Sequence, residues 1–201
     1  MPSGGRSPLI RSIRFTPSVP SRLDTLHVLV DAVDPDGDPV RLSYDWFVDG
    51  RELFGNPGDT LELADYPRGT RIAVRISASD GINESVSMSD EVEVANATPR
   101  FVTRPEKVRR IDGFKVVAED PDGDELKWAV DGGPPALTID AKGVLHWKGS
   151  TEDKGGHFDV KVTASDDAGG TATMELPLDV LPGTPGRGEA EKGAETAPST
   201  P

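Results

Sequence analysis

Arg71-Ile-Ala-Val-Arg-Ile-Ser-Ala-Ser79 alternates side-chain character along its whole length. Ile72, Val74, Ile76 and Ala78 fall on one face, with Arg71, Ala73, Arg75, Ser77 and Ser79 on the other, the period of two that marks a half-buried strand. Its counterpart 86 residues on repeats the phase, with Phe158, Val160, Val162 and Ala164 inward and Asp159, Lys161, Thr163 and Ser165 outward. The same shift of 86 carries Asp34-Pro-Asp-Gly-Asp38 onto Asp120-Pro-Asp-Gly-Asp124 and Ala78-Ser-Asp80 onto Ala164-Ser-Asp166. Without a gap it also pairs Phe15 with Phe101, Val30 with Val116, Val74 with Val160, Met88 with Met174 and Val94 with Val180. Agreement of this kind over most of the chain reads as a tandem of two homologous units.

The remaining patterns are strands as well. Leu26, Val28, Val30 and Ala32 form one apolar row, Leu42, Tyr44, Trp46 and Val48 another, and Leu126, Trp128 and Val130 its second-unit counterpart. Asp49-Gly50 is a hairpin signal, and Asp140-Ala-Lys-Gly143 separates two further short runs. No stretch has helical periodicity. About seven short strands per unit predict an all-β chain of two tandem antiparallel β-sandwiches, each core anchored by a third-strand tryptophan, Trp46 or Trp128. The expected boundaries are residues 10–97 and 98–182, joined by Val94-Ala-Asn-Ala-Thr-Pro99. That connection is short and proline-restricted, so the units are expected to stand end to end with limited bending. Residues 1–9 and 183–201 lack the apolar content to offset their ordering entropy; they are expected to be a loose N-terminus and a disordered tail.

Composition narrows the function classes. Of 201 residues, 22 are Lys or Arg and 35 Asp or Glu, a net charge of −13. That balance argues against nucleic acid, whose phosphates require a basic face, and favours basic or cation-bridged partners. The absence of Cys excludes disulfides, thiolate metal sites and thiol nucleophiles. No window approaches the roughly 20 apolar residues of a membrane helix, so no transmembrane segment is expected in this chain. The nucleophile elbow, the His-Glu-x-x-His zinc motif and the phosphate loop are all missing, and His27, His146 and His157 show no metal-ligand spacing. The expectation is a protein that is not an enzyme.

The run Asp34-Pro-Asp-Gly-Asp-Pro-Val-Arg-Leu-Ser-Tyr-Asp-Trp-Phe-Val-Asp-Gly50, followed by Ala78-Ser-Asp-Gly81 and closed by Val94–Pro99, resembles bacterial Ig-like repeats of the PKD and cadherin-like kind. The second unit, with Asp120-Pro-Asp-Gly-Asp-Glu-Leu126, Leu137-Thr-Ile-Asp-Ala-Lys-Gly-Val-Leu145 and Val162-Thr-Ala-Ser-Asp166, is similar to cadherin-like repeats of the dystroglycan type. The resemblance covers about residues 10–182. It implies Ig-like sandwiches and an extracytoplasmic home, whether periplasmic, cell-surface or secreted.

In an Ig-like sandwich the loop between the second and third strands lies at the same end as the loop between the last two. Asp34, Asp36 and Asp38 are therefore expected near Asp80, and Asp120, Asp122 and Asp124 near Asp166. Carboxylates a few ångströms apart repel by about 3 kcal/mol per pair at an effective dielectric of about 20. A Ca2+ ion, which takes six to eight oxygen ligands, would offset this. The other reading is a plain turn, in which each Asp accepts backbone N–H bonds and Gly37 or Gly123 supplies a positive φ. Both readings stay open on sequence alone, as does the role of Phe47 and Trp147, which form either an exposed partner surface or packing against a neighbouring loop. The functional expectation is an extracytoplasmic binding, adhesion or scaffold protein of the bacterial envelope, with a protein or glycan partner at the cell surface. The alternatives are a subunit of a filament, an accessory region of a larger secreted assembly, or a carbohydrate-binding module.

Overall fold

The computed structural model describes residues 5–56, 58–103, 108, 111–149 and 155–181. The expected 183–201 tail lies outside the described residues. The chain divides into two compact units, Met1–Ala97 and Thr98–Pro201.

Unit 1 contains β1 (Leu9–Thr16), β2 (Thr25–Val33), β3 (Arg41–Val48), β4 (Arg51–Leu53), β5 (Thr60–Glu62), β6 (Arg71–Ser79), β7 (Glu84–Met88) and β8 (Val92–Glu93). Two antiparallel sheets form, one in the order β1-β2-β5 and the other β4-β3-β6-β7, with β8 also on β6. This is the strand arrangement of an Ig-like sandwich. Leu26, Val28 and Leu61 from the first sheet meet Trp46, Ile72, Val74 and Ile76 from the second, and these form the buried cluster. Trp46 is fully buried, donates its indole N–H to the Gly58 carbonyl (2.9 Å) and packs against Phe15 (6.1 Å between ring centroids). A register irregularity in β1 between Ile10 and Ser12 lets Ile10 and Ile13, three residues apart, both pack on this cluster. The β3–β4 hairpin turns at Asp49 and Gly50, with φ of 49° and 75°, the two positive values expected of an Asp-Gly turn.

Unit 2 contains β9 (Arg100–Phe101), β10 (Ala118–Glu119), β11 (Lys127–Asp131), β12 (Thr138–Ile139), β13 (Leu145–His146), β14 (Gly156–Ser165) and β15 (Thr171–Val180). One layer is the antiparallel sheet β11-β14-β15; the other is assembled from the pairs β9–β10 and β12–β13, linked by the Lys115–Val144 bridge. Leu145 and Val116 oppose Val160, Val162, Leu176 and Leu178 in a second, separate core. The all-β reading holds in both units.

Three details differ from the sequence reading. The buried tryptophan of unit 2 is Trp147, at 7% exposure, with its N–H donated to the Pro135 carbonyl (3.1 Å); Trp128 is only partly buried and lies edge-on to Phe101. The reason is register: Trp128 sits opposite Ala164 as Leu42 sits opposite Ala78, so it takes the place of Leu42 and not of Trp46. Trp147 is consequently no exposed platform. Phe47 does face outward, beneath the Arg75 guanidinium (5.5 Å), which also pairs with Asp45.

The second difference lies in the last strand. In unit 2 Met174 is opposite Val162 and packs on the core, whereas in unit 1 Met88 is opposite Arg75 and is 51% exposed. The unit 2 loop from Asp166 to Gly170 is one residue longer than its unit 1 equivalent, and a one-residue slip exchanges the two faces of a strand. Unit 1 recovers the phase at Ser89–Glu91, after which Ile72 pairs with Val92 and Val94 is fully buried. The third difference concerns the N-terminus, expected to be loose over residues 1–9: residues 1–4 lie outside the described residues, while Leu9 belongs to β1, and Gly5 and Arg6 are hydrogen-bonded to the loops described next.

Candidate metal centre

The two Asp-Pro-Asp-Gly-Asp segments connect β2 to β3 and β10 to β11. They fold alike. Asp34 Oδ1 accepts the N–H groups of Asp36 (2.7 Å) and Asp38 (3.2 Å), and Asp120 Oδ1 accepts those of Asp122 (2.8 Å) and Asp124 (3.2 Å). The backbone bonds from Gly37 to Asp34 and from Gly123 to Asp120 are both 3.2 Å, and the glycines have φ of 87° and 83°. That left-handed conformation is why each fourth residue is Gly. The turn geometry thus exists in both units, and it uses only one oxygen of the first aspartate. The other, Oδ2 of Asp34 and of Asp120, is enclosed and has no hydrogen-bond partner. An enclosed carboxylate oxygen in that state is costly unless a cation is near.

The opposing loop closes each site. In unit 1, Asp80 Oδ1 accepts the N–H groups of Ile82 and Asn83, both at 2.6 Å, and these bonds, Asn83 first, hold its carboxyl below the usual range. In unit 2, Asp166 Oδ1 accepts from Ala168 (2.9 Å) and Gly170 (2.7 Å), and the residue is buried at 6% exposure.

The outcomes differ. Asp120, Asp124 and Asp166 each offer a carboxylate oxygen, and these oxygens lie within 4.8 Å of one another. Two oxygens on opposite sides of a Ca2+ ion, each at about 2.4 Å, are separated by about this distance. The donors are all hard oxygens, which suits Ca2+ and not a soft transition metal. Asp122 is half-buried on the same loop, outside that trio.

Among the described residues unit 1 contains no such trio. Here Asp36 and Asp38 are exposed, and the Arg6 guanidinium lies on Asp36, with Nη2 at 2.8 Å and Nε at 3.1 Å from Oδ1. Arg6 also donates its backbone N–H to Asp36 Oδ2 (2.6 Å) and Nη2 to the Pro35 carbonyl (2.8 Å). The Arg6 side chain, and then its N–H, hold the Asp36 carboxyl below its ordinary pKa, and Asp36 in turn raises that of Arg6. Sequence reasoning missed Arg6: it lies in a Gly-, Ser- and Pro-rich stretch with no periodicity.

No family model matches the chain, and no curated protein matches it. Solved structures similar to it include Drosophila N-cadherin EC1-4, 14% identical over 88% of this chain and 50% of that one, with a TM-score of 0.35. The N-terminal eight Ig domains of Down Syndrome Cell Adhesion Molecule are 14% identical over 88% of this chain and 25% of that one, at 0.41. An endo-fucoidan hydrolase of glycoside hydrolase family 107 is 19% identical over 90% of this chain and 29% of that one, at 0.32. The chain spans half or less of the length of each of these three. No helix among the described residues is long and apolar enough to cross a membrane.

Proposed function

We propose that this chain is a non-enzymatic, extracytoplasmic binding or scaffold segment of the bacterial cell envelope: two β-sandwiches that present loops and strand edges to a protein or glycan partner, with the acidic end of unit 2 stiffened by Ca2+. The observation that carries the cation is the convergence of Asp120, Asp124 and Asp166 within 4.8 Å beside the enclosed Asp120 Oδ2. Two loops that the fold brings together from distant parts of the sequence would share one ion, and the loop end would become rigid. Turn and cation readings are compatible, because the turn spends Asp120 Oδ1 and leaves Oδ2.

Calorimetric titration of the metal-free chain with Ca2+ tests the proposal. A Kd of order 10⁻⁴ to 10⁻³ M is expected, as for extracellular Ca2+ modules. At ten times Kd, the unit 2 melting transition should gain about 1.4 kcal/mol. Asp124→Asn should weaken binding while leaving the metal-free melting curve nearly unchanged. No heat and no thermal shift at millimolar Ca2+ would discard the cation.

A further inference from the structure

The sequence repeat places an acidic loop of the same conformation at the corresponding end of unit 1, yet the structure closes that end with the chain itself. Arg6 makes three bonds to the Asp36 carboxylate and one to the Pro35 carbonyl, all on the β2–β3 loop. The preceding residue holds the other loop: Asn83 Nδ2 donates to the Gly5 carbonyl (2.9 Å) and to Asp80 Oδ2 (3.2 Å). A Cβ added at Gly5 would lie 3.2 Å from Asp36 Oδ2, so the backbone runs close over the acidic loop. One dipeptide therefore ties together the two loops whose unit 2 counterparts bring the carboxylates of Asp120, Asp124 and Asp166 within 4.8 Å of one another.

We propose that the Gly5–Arg6 strap is the built-in cation of unit 1, a plug that bridges its two acidic loops and keeps a divalent ion out. The guanidinium, with Nε and Nη2 both on Asp36 Oδ1, supplies positive charge at the end of unit 1 that also carries Asp34, Asp38 and Asp80, and the backbone at Gly5 runs beside Asp36. The chain thus has one end fixed by its own arginine and one that responds to dissolved cation. The cation-responsive half of this statement rests on the function proposed above; the plug does not.

Amide-resolved NMR of the full chain, titrated with CaCl2 against NaCl of matched ionic strength, separates the two. In the wild type, Ca2+ should leave the amides of Asp36, Asp38, Ile82 and Asn83 in place. In Arg6→Ala the same amides should shift saturably, with an apparent Kd about tenfold or more below any wild-type response, as expected for removing a unit charge a few ångströms away. Arg6→Lys, which keeps the charge, should restore most of the block. Arg6 is surface-exposed, at 69% for its side chain, so these variants fold. The plug is overturned if unit 1 of Arg6→Ala ignores Ca2+, or if the wild-type unit 1 responds as strongly as the variant does. Silence at Asp122, Asp124, Ala168 and Gly170 in every variant would instead remove the unit 2 cation and leave the plug to be judged on unit 1 alone.

Discussion

The acidic ends of the two units start from the same five residues and finish differently. Asp34–Asp38 and Asp120–Asp124 fold with hydrogen bonds equal to within 0.1 Å. The divergence comes from the loop across from them. Asp80-Gly-Ile-Asn83 returns to the sheet at Asn83, whose carbonyl accepts the Asp80 N–H (3.3 Å), whereas in unit 2 the Asp166 N–H reaches the carbonyl of Gly170 (3.0 Å). With one more residue the second loop wraps its aspartate more completely: Asp166 is buried and Asp80 half-buried. That residue also sets the register of the last strand, so Met174 faces the core and Met88 faces out. A single-residue difference in a hairpin thus decides both how deep a carboxylate sits and which face of a strand is apolar.

The largest effects should come from the cores, and they test whether the units are as separate as their two clusters. Trp46→Ala removes a fully buried ring and leaves the Gly58 carbonyl without its donor; Trp147→Ala does the same to the Pro135 carbonyl. Each should cost about 3–5 kcal/mol. Followed by denaturant melts with a probe in each unit, Trp46→Ala should lower the unit 1 transition and leave unit 2 in place, and Trp147→Ala the reverse. Equal loss in both units from either change would merge them into one cooperative body. Trp128→Ala, at a partly buried position, should cost less than Trp147→Ala.

Glycines give the next contrast. Gly143, at φ 76°, has no room for a side chain: an added Cβ would lie 2.5 Å from the Val116 carbonyl and 3.0 Å from the Trp128 ring. Gly123 has a similar φ of 83° but nothing within 4 Å. Gly123→Ala should therefore cost only the left-handed backbone penalty, about 1–2 kcal/mol. Gly143→Ala pays that and must also displace backbone, so its midpoint in urea should fall further. If the two variants melt together, close approach is not what Gly143 serves.

What could be read from the sequence follows from range. The alternation of Ile72 to Ala78 is local and its phase fixes which face is buried, so β6 and β14 were legible, as was the Asp49-Gly50 turn. The meeting of the β10–β11 and β14–β15 loops was legible too, because it follows from the strand order of the sandwich. The tryptophan exchange was not, since Trp128 and Trp147 sit in different layers and only the three-dimensional register shows which one fills the core. Nor was the slip between Met88 and Met174: a gapless repeat of 86 residues conceals a lengthened loop in one unit that is balanced by an irregularity at Ser89–Glu91 in the other. Arg6 was the least legible, because its contacts lie about 30 residues away and no local pattern marks them.

The smallest of these effects concerns pH, and it follows from which carboxylates are held ionised. In unit 2 Asp140 is lowered from 3.8 to about 2, chiefly by His146, whose Nε2 lies 3.0 Å away, and then by the N–H groups of Val144 and Lys142. In unit 1 Asp36 and Asp80 are lowered as well, by Arg6 and by backbone N–H groups of the turn respectively. A carboxylate whose pKa is lower folded than unfolded binds fewer protons in the folded state, so its contribution is complete above the unfolded value and drains away as pH falls through the folded one. Unit 2 should accordingly hold steady above about pH 5 and weaken between about pH 4 and pH 2, and unit 1 should likewise lose stability as the medium is acidified below the ordinary carboxylate range. Asp140→Asn should reduce unit 2 stability at about pH 5.5 while changing it little near pH 2, flattening the acid limb for that unit alone. Since Asp140 is at the surface, solvent screening keeps the change modest. An unchanged acid limb for unit 2 in Asp140→Asn would show that the Asp140–His146 pair does not set that limb.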